Sequence, residues 1–278
     1  MKREAPAAHD DAWAGTGTPA VEILSAHKTY ANGTVALKPV DLAVAEGEFV
    51  TLLGPSGCGK STLLKMVAGL LEPSGGSLLL WGKPVAALAE AQRRLAFVFQ
   101  SPTLMPWAKV DTNVRLPLDL AGVPRSEADA RVAEALALVG LAEFAHALPR
   151  NLSGGMQMRV SIARSLVVQP NLLLMDEPFG ALDEITRHRL DADLLALWQQ
   201  KKLTVVFVTH SIHEAVFLST RVVMMAARPG CITEELRIDE PYPRSPEFMV
   251  TPRFAKYARH LQTSLLRASQ DGADATYL

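Results

Sequence analysis

Hydrophobic and polar positions follow two patterns along this chain of 278 residues. Three early segments alternate apolar and polar residues and end in turn residues, which predicts antiparallel strands; their sequences are VEILSAHKTY, VALKPVDLAVAEGEF and SLLLWG. Four later segments are almost continuously apolar and are separated by segments with helical spacing; their sequences are LAFVFQ, NLLLMDE, TVVFVTH and RVVMMAA. Such runs are typical of parallel strands buried on both faces, so the core is predicted to be α/β.

A further apolar strand, EFVTLLG, leads through a glycine-rich loop into STLLKMVAGLL, which has helical spacing. Strand signals stop between Pro102 and Gly155, where SEADARVAEALALVGL predicts a helix capped by Ser126. We therefore expect a helical insertion at about residues 102–157. The chain has no repeat of fixed period, so the sequence gives no support to a solenoid or a propeller.

The two ends of the chain differ from this main domain, which we expect at residues 21–240. Residues 1–20 are rich in Ala, Gly, Asp and Pro without periodicity, which predicts a disordered leader. Residues 241–278 are predicted to form a helical tail, with one apolar stripe at Phe254, Tyr257, Leu261 and Leu265. We expect this stripe to pack on the core; the alternative is a basic amphipathic helix on anionic lipid.

Composition excludes several classes of protein. Hydrophobic residues make up 49% of the chain, enough to bury a core, and 28 Lys and Arg are balanced by 29 Asp and Glu. A nucleic-acid-binding surface is therefore not indicated by net charge. The two cysteines, Cys58 and Cys231, are too far apart in sequence to suggest a disulfide framework, which favours a reducing compartment. The sequence has neither a run of about 18 apolar residues nor a signal-peptide core.

The glycine-rich loop GPSGCGKS matches the phosphate-binding pattern G-x-x-x-x-G-K-[ST] between a strand and a helix. Its glycines let the backbone approach phosphate oxygens, while amide hydrogens and the helix N-terminus provide positive potential. We expect Lys60 to reach the β and γ phosphates and Ser61 to bind Mg²⁺. Cys58 in this loop is either an alkylation site that nucleotide protects or a residue that only fills the loop.

Two adjacent carboxylates end the strand LLLMDE, at the edge of the sheet where α/β proteins bind ligands. We expect Asp176 to hold the Mg²⁺ shell and Glu177 to activate a water molecule that attacks the γ-phosphate. With the loop, these acids predict hydrolysis of ATP or GTP, although a small-molecule kinase fits the same two motifs.

A second glycine turn separates these possibilities. In NLSGGMQMR, Ser153 is a suitable N-cap, and Gly154 and Gly155 expose the first amides of a helix expected to begin near Met156. The chain therefore has two predicted anion-binding helix N-termini, whereas a kinase needs only one.

The stretch LSGGMQMRVSIAR resembles the signature motif of ABC-transporter ATPase subunits, and the resemblance extends in the family's order from Val21 onward. It implies a P-loop NTPase (RecA-like) core with an antiparallel β subdomain and a helical insertion. Many family members have glutamine where this chain has Met156. That methionine, with PTLMPW and AARPGCI, resembles the branch serving importers of nitrate, sulfonates and taurine.

The resemblance also implies a role for single residues. Tyr30 stacks on adenine, Gln100 touches Mg²⁺ or the attacking water, and His210 contacts the γ-phosphate. The implied catalytic residues are Lys60, Gln100, Glu177 and His210. The implied magnesium ligands are Ser61, Gln100 and Asp176. The implied ATP-binding residues are Tyr30, Gly54, Pro55, Ser56, Gly57, Cys58, Gly59, Lys60, Ser61, Thr62, Ser153, Gly154, Gly155 and Asp183.

In such proteins two copies sandwich each nucleotide, so Ser153 and Gly155 of one copy face Lys60 and Ser61 of the other. The resemblance thus implies a homodimer on the cytoplasmic face of the inner membrane, with two permease subunits and a separate solute-binding protein. Exposed Leu104, Met105 and Trp107 are expected to receive the permease, unless they only pack the insertion on the core. A soluble ABC ATPase acting on nucleic acid or ribosomes is the alternative function.

Overall fold

The computed structural model describes residues 17–85, 95–227 and 229–274, with side chains up to residue 269. Within these ranges, ten strands form two sheets and seven α-helices pack around them. The strands are β1 (Val21–Thr29), β2 (Val35–Val44), β3 (Phe49–Leu53), β4 (Gly75–Leu80), β5 (Lys83–Pro84), β6 (Leu95–Val98), β7 (Leu172–Asp176), β8 (Thr204–Thr209), β9 (Arg221–Ala226) and β10 (Cys231–Arg237). The helices are α1 (Lys60–Val67), α2 (Val110–Leu120), α3 (Arg125–Leu138), α4 (Gly154–Leu166), α5 (Glu184–Lys201), α6 (Ile212–Leu218) and α7 (Pro252–Asp274).

The smaller sheet has the order β2-β1-β4-β5 and is antiparallel throughout, as the alternating segments predict. Val21 of its central strand lies opposite both Val44 and Leu80, and all three side chains are buried. Ala20 is also buried, and its amide donates to the carbonyl of Val44. Most of the predicted leader, residues 1–16, lies outside the described residues.

The larger sheet has the order β10-β9-β3-β8-β7-β6, with parallel pairing from β9 to β6. Alternate side chains of its strands are buried in two separate clusters, Leu173 in one and Leu174 in the other. Burial of both faces explains why these strands read as continuous apolar runs, and it confirms the prediction of an α/β core.

Strand β10 is the part of this sheet that the apolar pattern does not predict. It pairs antiparallel with β9 at the edge of the sheet, and its sequence CITEELR is half-exposed and largely polar. An edge strand has only one neighbour in its sheet, so it needs no continuous apolar sequence.

The helical insertion is confirmed, but two helices begin at other residues than expected. Helix α3 begins at Arg125 with Pro124 as its N-cap residue, so Ser126 lies inside the first turn. Proline has a φ fixed near the helical value and has no backbone N–H that would need an acceptor, so it is suitable at the start of a helix. Helix α4 begins at Gly154, two residues before Met156, because Ser153 accepts the amide hydrogen of Met156 and caps the helix there.

The apolar stripe of the tail packs on the core, as expected. Phe254 and Leu261 are buried, and Tyr257 and Leu265 pack against the same cluster. None of the helices in the described ranges is long and apolar enough to cross a lipid bilayer.

Candidate active site

The loop between β3 and α1 holds a buried ammonium group at the start of a helix. Gly59 precedes α1 with φ of 91°, a left-handed conformation that glycine adopts without steric cost. Lys60 is 4% exposed, and its Nζ donates to the carbonyl oxygens of Gly54 at 2.8 Å and Pro55 at 3.0 Å. The loop therefore presents backbone amides, a helix N-terminus and one fixed cation on the same side.

The two predicted acids lie directly beside this loop. Ser61 Oγ donates to Asp176 Oδ1 at 2.7 Å, which joins α1 to the end of β7. Burial raises the pKa of Asp176, and the hydrogen bond from Ser61 partly offsets this rise. Glu177 Oε1 lies 3.7 Å from Lys60 Nζ, so a phosphate group in the loop would share this cation with the carboxylate.

Glu177 is held in a fixed orientation by its backbone and by a histidine. Its φ is 45°, an unusual conformation for a residue other than glycine, and its amide donates to Val208 O at 3.0 Å. His210 follows β8, and its Nδ1 lies 3.1 Å from Glu177 Oε2. Because β7 and β8 are parallel neighbours, both side chains emerge at the same edge of the sheet.

An open cavity of about 590 Å³ lies in front of these groups. Its lining residues that the sequence predicted are Tyr30, Ser56, Gly57, Gly59, Lys60, Ser61, Thr62, Gln100 and Glu177. Its other lining residues are Thr34, Val35, Ala36, Pro229 and Gly230. The close approach of Gly230 to the loop explains part of this second group, since a Cβ on Gly230 would lie 2.3 Å from Cys58 O. Gly230 belongs to the stretch AARPGCI that the sequence analysis singled out, but the sequence alone did not predict its contact with the loop.

The second glycine turn lies elsewhere on the surface, because no residue between 151 and 159 is among the described residues that line this cavity. Ser153 caps α4, and its Oγ accepts the amide of Met156 at 3.3 Å. Asp183 caps α5 in the same way by accepting the amide of Thr186 at 3.0 Å, a hydrogen bond that lowers its pKa. A Cβ on Gly155 would lie 2.7 Å from Thr186 Cγ2, so the two capped helix starts pack closely.

The sequence left two alternatives open for Cys58 and for the Leu104–Trp107 stretch, and the structure bears on both. The side chain of Cys58 is fully buried in the core cluster rather than exposed to the cavity, and burial raises the pKa of its thiol. A buried thiol that resists ionisation is a poor alkylation target. Leu104 packs against the core and Met105 is half-buried, whereas Trp107 is 78% exposed.

The residues present fit a magnesium ion. Ser61, Asp176 and Gln100 offer hydroxyl, carboxylate and amide oxygens, which are the hard donors that Mg²⁺ prefers when phosphates and water complete its shell. The Ser61–Asp176 contact shows that two of these donors already converge.

The sequence model described as ABC transporter matches residues 37–180, which contain both glycine turns and both acids. This chain belongs to the ABC transporter family. It is 47% identical over 210 residues to the taurine import ATP-binding protein TauB of Rhizobium johnstonii, a match that covers 76% of this chain and 79% of TauB. It is 42% identical over 229 residues to the aliphatic sulfonates import ATP-binding protein SsuB of Bacillus cereus. This match covers 82% of this chain and 89% of SsuB.

A solved structure of a dimeric ATP-binding cassette, MJ0796, bound to ADP and Pi, has a TM-score of 0.71 and 34% identity to this ABC cassette. The match covers 80% of this chain and all of that chain. The predicted ABC cassette fold is thereby confirmed, and so are nucleotide binding and ATP hydrolysis as the activity of this family member.

Proposed function

We propose that this ABC ATPase energises the uptake of a small anionic nutrient, of the sulfonate, taurine or nitrate kind, through a separate membrane permease. The observation that carries ATP hydrolysis is the placement of Glu177 beside Lys60, with His210 on its other carboxylate oxygen. Uptake as the purpose is supported by TauB and SsuB, which are named for the import of taurine and aliphatic sulfonates. These relatives favour transport over action on nucleic acid or ribosomes.

The cavity has the parts that bind a nucleoside triphosphate. Backbone amides of Ser56, Gly57 and Gly59 and the ammonium of Lys60 would bind the β and γ phosphates. Tyr30 is 41% exposed at the cavity, where its ring would stack on the adenine. Mg²⁺, held by Ser61 and Asp176 with Gln100 nearby, would neutralise phosphate charge when bound.

Glu177 would then act as the general base. Its carboxylate accepts a proton from a water molecule whose oxygen forms a bond to the γ-phosphorus, while the bond to the ADP oxygen breaks and phosphate leaves. His210, whose side chain is 54% exposed beside Glu177, would keep the carboxylate oriented toward this water and contact the γ-phosphate. Gln100 would help to orient the same water.

A second copy of the chain would complete the site. Ser153 and Gly154 are exposed at a capped helix N-terminus, outside the cavity of their own chain. Such an end offers free amides to the γ-phosphate bound by another subunit. The dimeric state of the related cassette supports a pair of copies; in the proposed head-to-tail pair, Asp183 would lie at the crossing between subunits. ATP would hold the pair closed, and hydrolysis would open it.

The permease would bind at the start of the helical insertion. Trp107 is the large exposed aromatic residue there, and it lies in a loop that Asn113 fixes by hydrogen bonds to the carbonyls of Met105, Ala108 and Lys109. We place the protein at the cytoplasmic face of the inner membrane, bound to two permease subunits that receive solute from a separate binding protein.

Uptake of radiolabelled taurine and alkanesulfonate by the native host tests this function. We expect deletion of the gene to abolish uptake of one such anion, the wild-type gene to restore it, and Glu177→Gln to fail to restore it. Uptake of all tested anions at the wild-type rate in the deletion strain would contradict the import function and leave ATP hydrolysis untouched.

A further inference from the structure

A partly buried guanidinium, on a side chain that is 25% exposed, lies behind the turn that contains Asp183. Arg187 is on the first turns of α5, and its Nη2 donates to Leu182 O at 2.9 Å while its Nε donates to Phe179 O at 3.3 Å. Both carbonyls belong to the turn at residues 179–183, which leads from the catalytic acids to Asp183. One side chain therefore holds this turn from its inner side.

The same guanidinium also contacts the segment that carries His210. Arg187 Nε lies 3.6 Å from Glu214 Oε1, and Glu214 is 4% exposed on α6. The other carboxylate oxygen of Glu214 accepts the hydroxyl of Thr209, the residue directly before His210. Ser211, directly after it, is held as well, since its amide donates to Thr209 Oγ1 at 2.9 Å and its Oγ caps α6.

These contacts form a continuous connection from the 179–183 turn to the catalytic pair. It runs from the turn to Arg187, then to Glu214 and Thr209, and it reaches Glu177 through His210. Every member has a specific polar partner, so displacement of the turn would displace the imidazole.

We propose that Arg187 is a positioning residue for ATP hydrolysis, which fixes the 179–183 turn relative to His210 and so keeps Glu177 aligned with the attacking water. The inference rests on the proposed roles of Glu177 and His210. It adds a residue that touches neither nucleotide nor water and still sets the rate of the chemical step.

The charges around Arg187 suit this role. Asp191, one turn later on α5, is 1% exposed, and burial together with the charge of Glu214 raises its pKa to about 8. Burial also raises the pKa of Glu214, while the hydrogen bond from Thr209 and the charge of Arg187 lower it. The guanidinium is thus held by two carbonyls of the turn and by the Glu214 carboxylate at 3.6 Å, which gives it one defined position between the two segments.

The test compares Arg187→Met and Arg187→Lys with the control Arg189→Met, an exposed arginine on the same helix. We expect Arg187→Met to lower kcat for ATP hydrolysis by about 10-fold to 100-fold and to change KM by less than about threefold, since misplacement affects the chemical step. Lysine retains the ion pair but cannot bind both carbonyls, so Arg187→Lys should give an intermediate kcat. The control should match the wild type in kcat and Tm.

A double-mutant cycle with Glu214→Gln checks the connection itself. If both residues act through one path, the double variant is no slower than Arg187→Met alone, whereas independent effects would multiply. A kcat of Arg187→Met within about twofold of wild type overturns the inference. The inference is also overturned if the effects of the two single variants on kcat multiply in the double variant, or if the fall in kcat is matched by a similar rise in KM.

The outcomes also separate this inference from the proposed function. If Arg187→Met does not fold, Glu214→Gln alone decides, and an unchanged kcat in that folded variant overturns the inference. Should neither variant fold, Arg187 is structural only and the inference is wrong. If the wild-type protein itself hydrolyses no ATP, the proposed function fails, irrespective of Arg187.

Discussion

His210 Nδ1 lies 3.1 Å from Glu177 Oε2, although 33 residues separate the two positions in the sequence. The contact arises because β7 and β8 are adjacent and parallel, so the residues that follow them meet at one edge of the sheet. The histidine thus orients the carboxylate that faces the phosphate-binding loop. The same edge brings Asp176 to Ser61, and Ser61 lines one cavity together with Lys60 and Glu177.

Lys60→Ala should weaken nucleotide binding itself. The variant removes the buried ammonium expected to bind the β and γ phosphates, so the Kd for ATP should rise by at least about 10-fold, or about 1.4 kcal/mol. Isothermal titration calorimetry with the non-hydrolysing Glu177→Gln background measures this Kd. Lys256→Ala, which removes an exposed lysine of α7, is the matched control. An unchanged Kd for Lys60→Ala would count against the loop as the phosphate site.

Asp191→Asn should stabilise the protein at neutral and alkaline pH. Asp191 has a pKa of about 8 in the folded chain and close to 3.9 in an unfolded one. The folded state therefore keeps a proton that the unfolded state releases. Wild-type stability is complete below about pH 4 and falls as the pH rises toward about 8, by at most about 1.4 kcal/mol per pH unit.

Asparagine does not titrate, so the Tm advantage of Asp191→Asn over wild type should grow between about pH 4 and pH 8 and then stay constant. Differential scanning fluorimetry across this range measures it, with the exposed Glu184→Gln of the same helix as control. Parallel Tm curves for Asp191→Asn and wild type would show that the buried carboxyl does not keep its proton.

Asn113→Ala should loosen the loop that carries Trp107 without changing the affinity for nucleotide. The two N–H groups of Asn113 Nδ2 are shared among three carbonyls of this loop at 3.0 to 3.1 Å, and its Oδ1 accepts the amide of Met105 at 2.8 Å. We expect faster amide exchange at residues 103–109 by mass spectrometry and an unchanged Kd for ATP. Thr112→Ala is the neighbouring control. Exchange at the wild-type rate in Asn113→Ala would mean that other contacts fix the loop.

The sequence predicts those parts of the site that one local segment determines. Lys60 and Ser61 follow from the loop pattern between a strand and a helix, and Ser153 follows from its capping position. The buried alternation of Leu173 and Leu174 follows from the continuous apolar run, because both faces of the strand are covered. In these places local sequence and final packing agree.

Tertiary contacts decide the parts that the sequence did not predict. The direction of the Cys58 side chain depends on how the loop packs on Gly230 and the core, which spacing does not encode. The pairing of Arg187 with Glu214 joins two helices, and neither residue has a distinctive local pattern. Strand β10 is an edge strand and lacks the apolar run that identifies its neighbours.

The central claim is that two copies of this chain close around ATP and that Glu177 is the base that opens them by hydrolysis. Glu177→Gln keeps the shape of the side chain and removes the base, so the variant should bind ATP, hydrolyse it at least about 100-fold more slowly, and remain closed. Size-exclusion chromatography with light scattering, in saturating ATP and Mg²⁺, measures this most directly. The account predicts a stable dimer for Glu177→Gln that reverts to monomer when ATP is removed. A variant that binds ATP and stays monomeric under these conditions would contradict it.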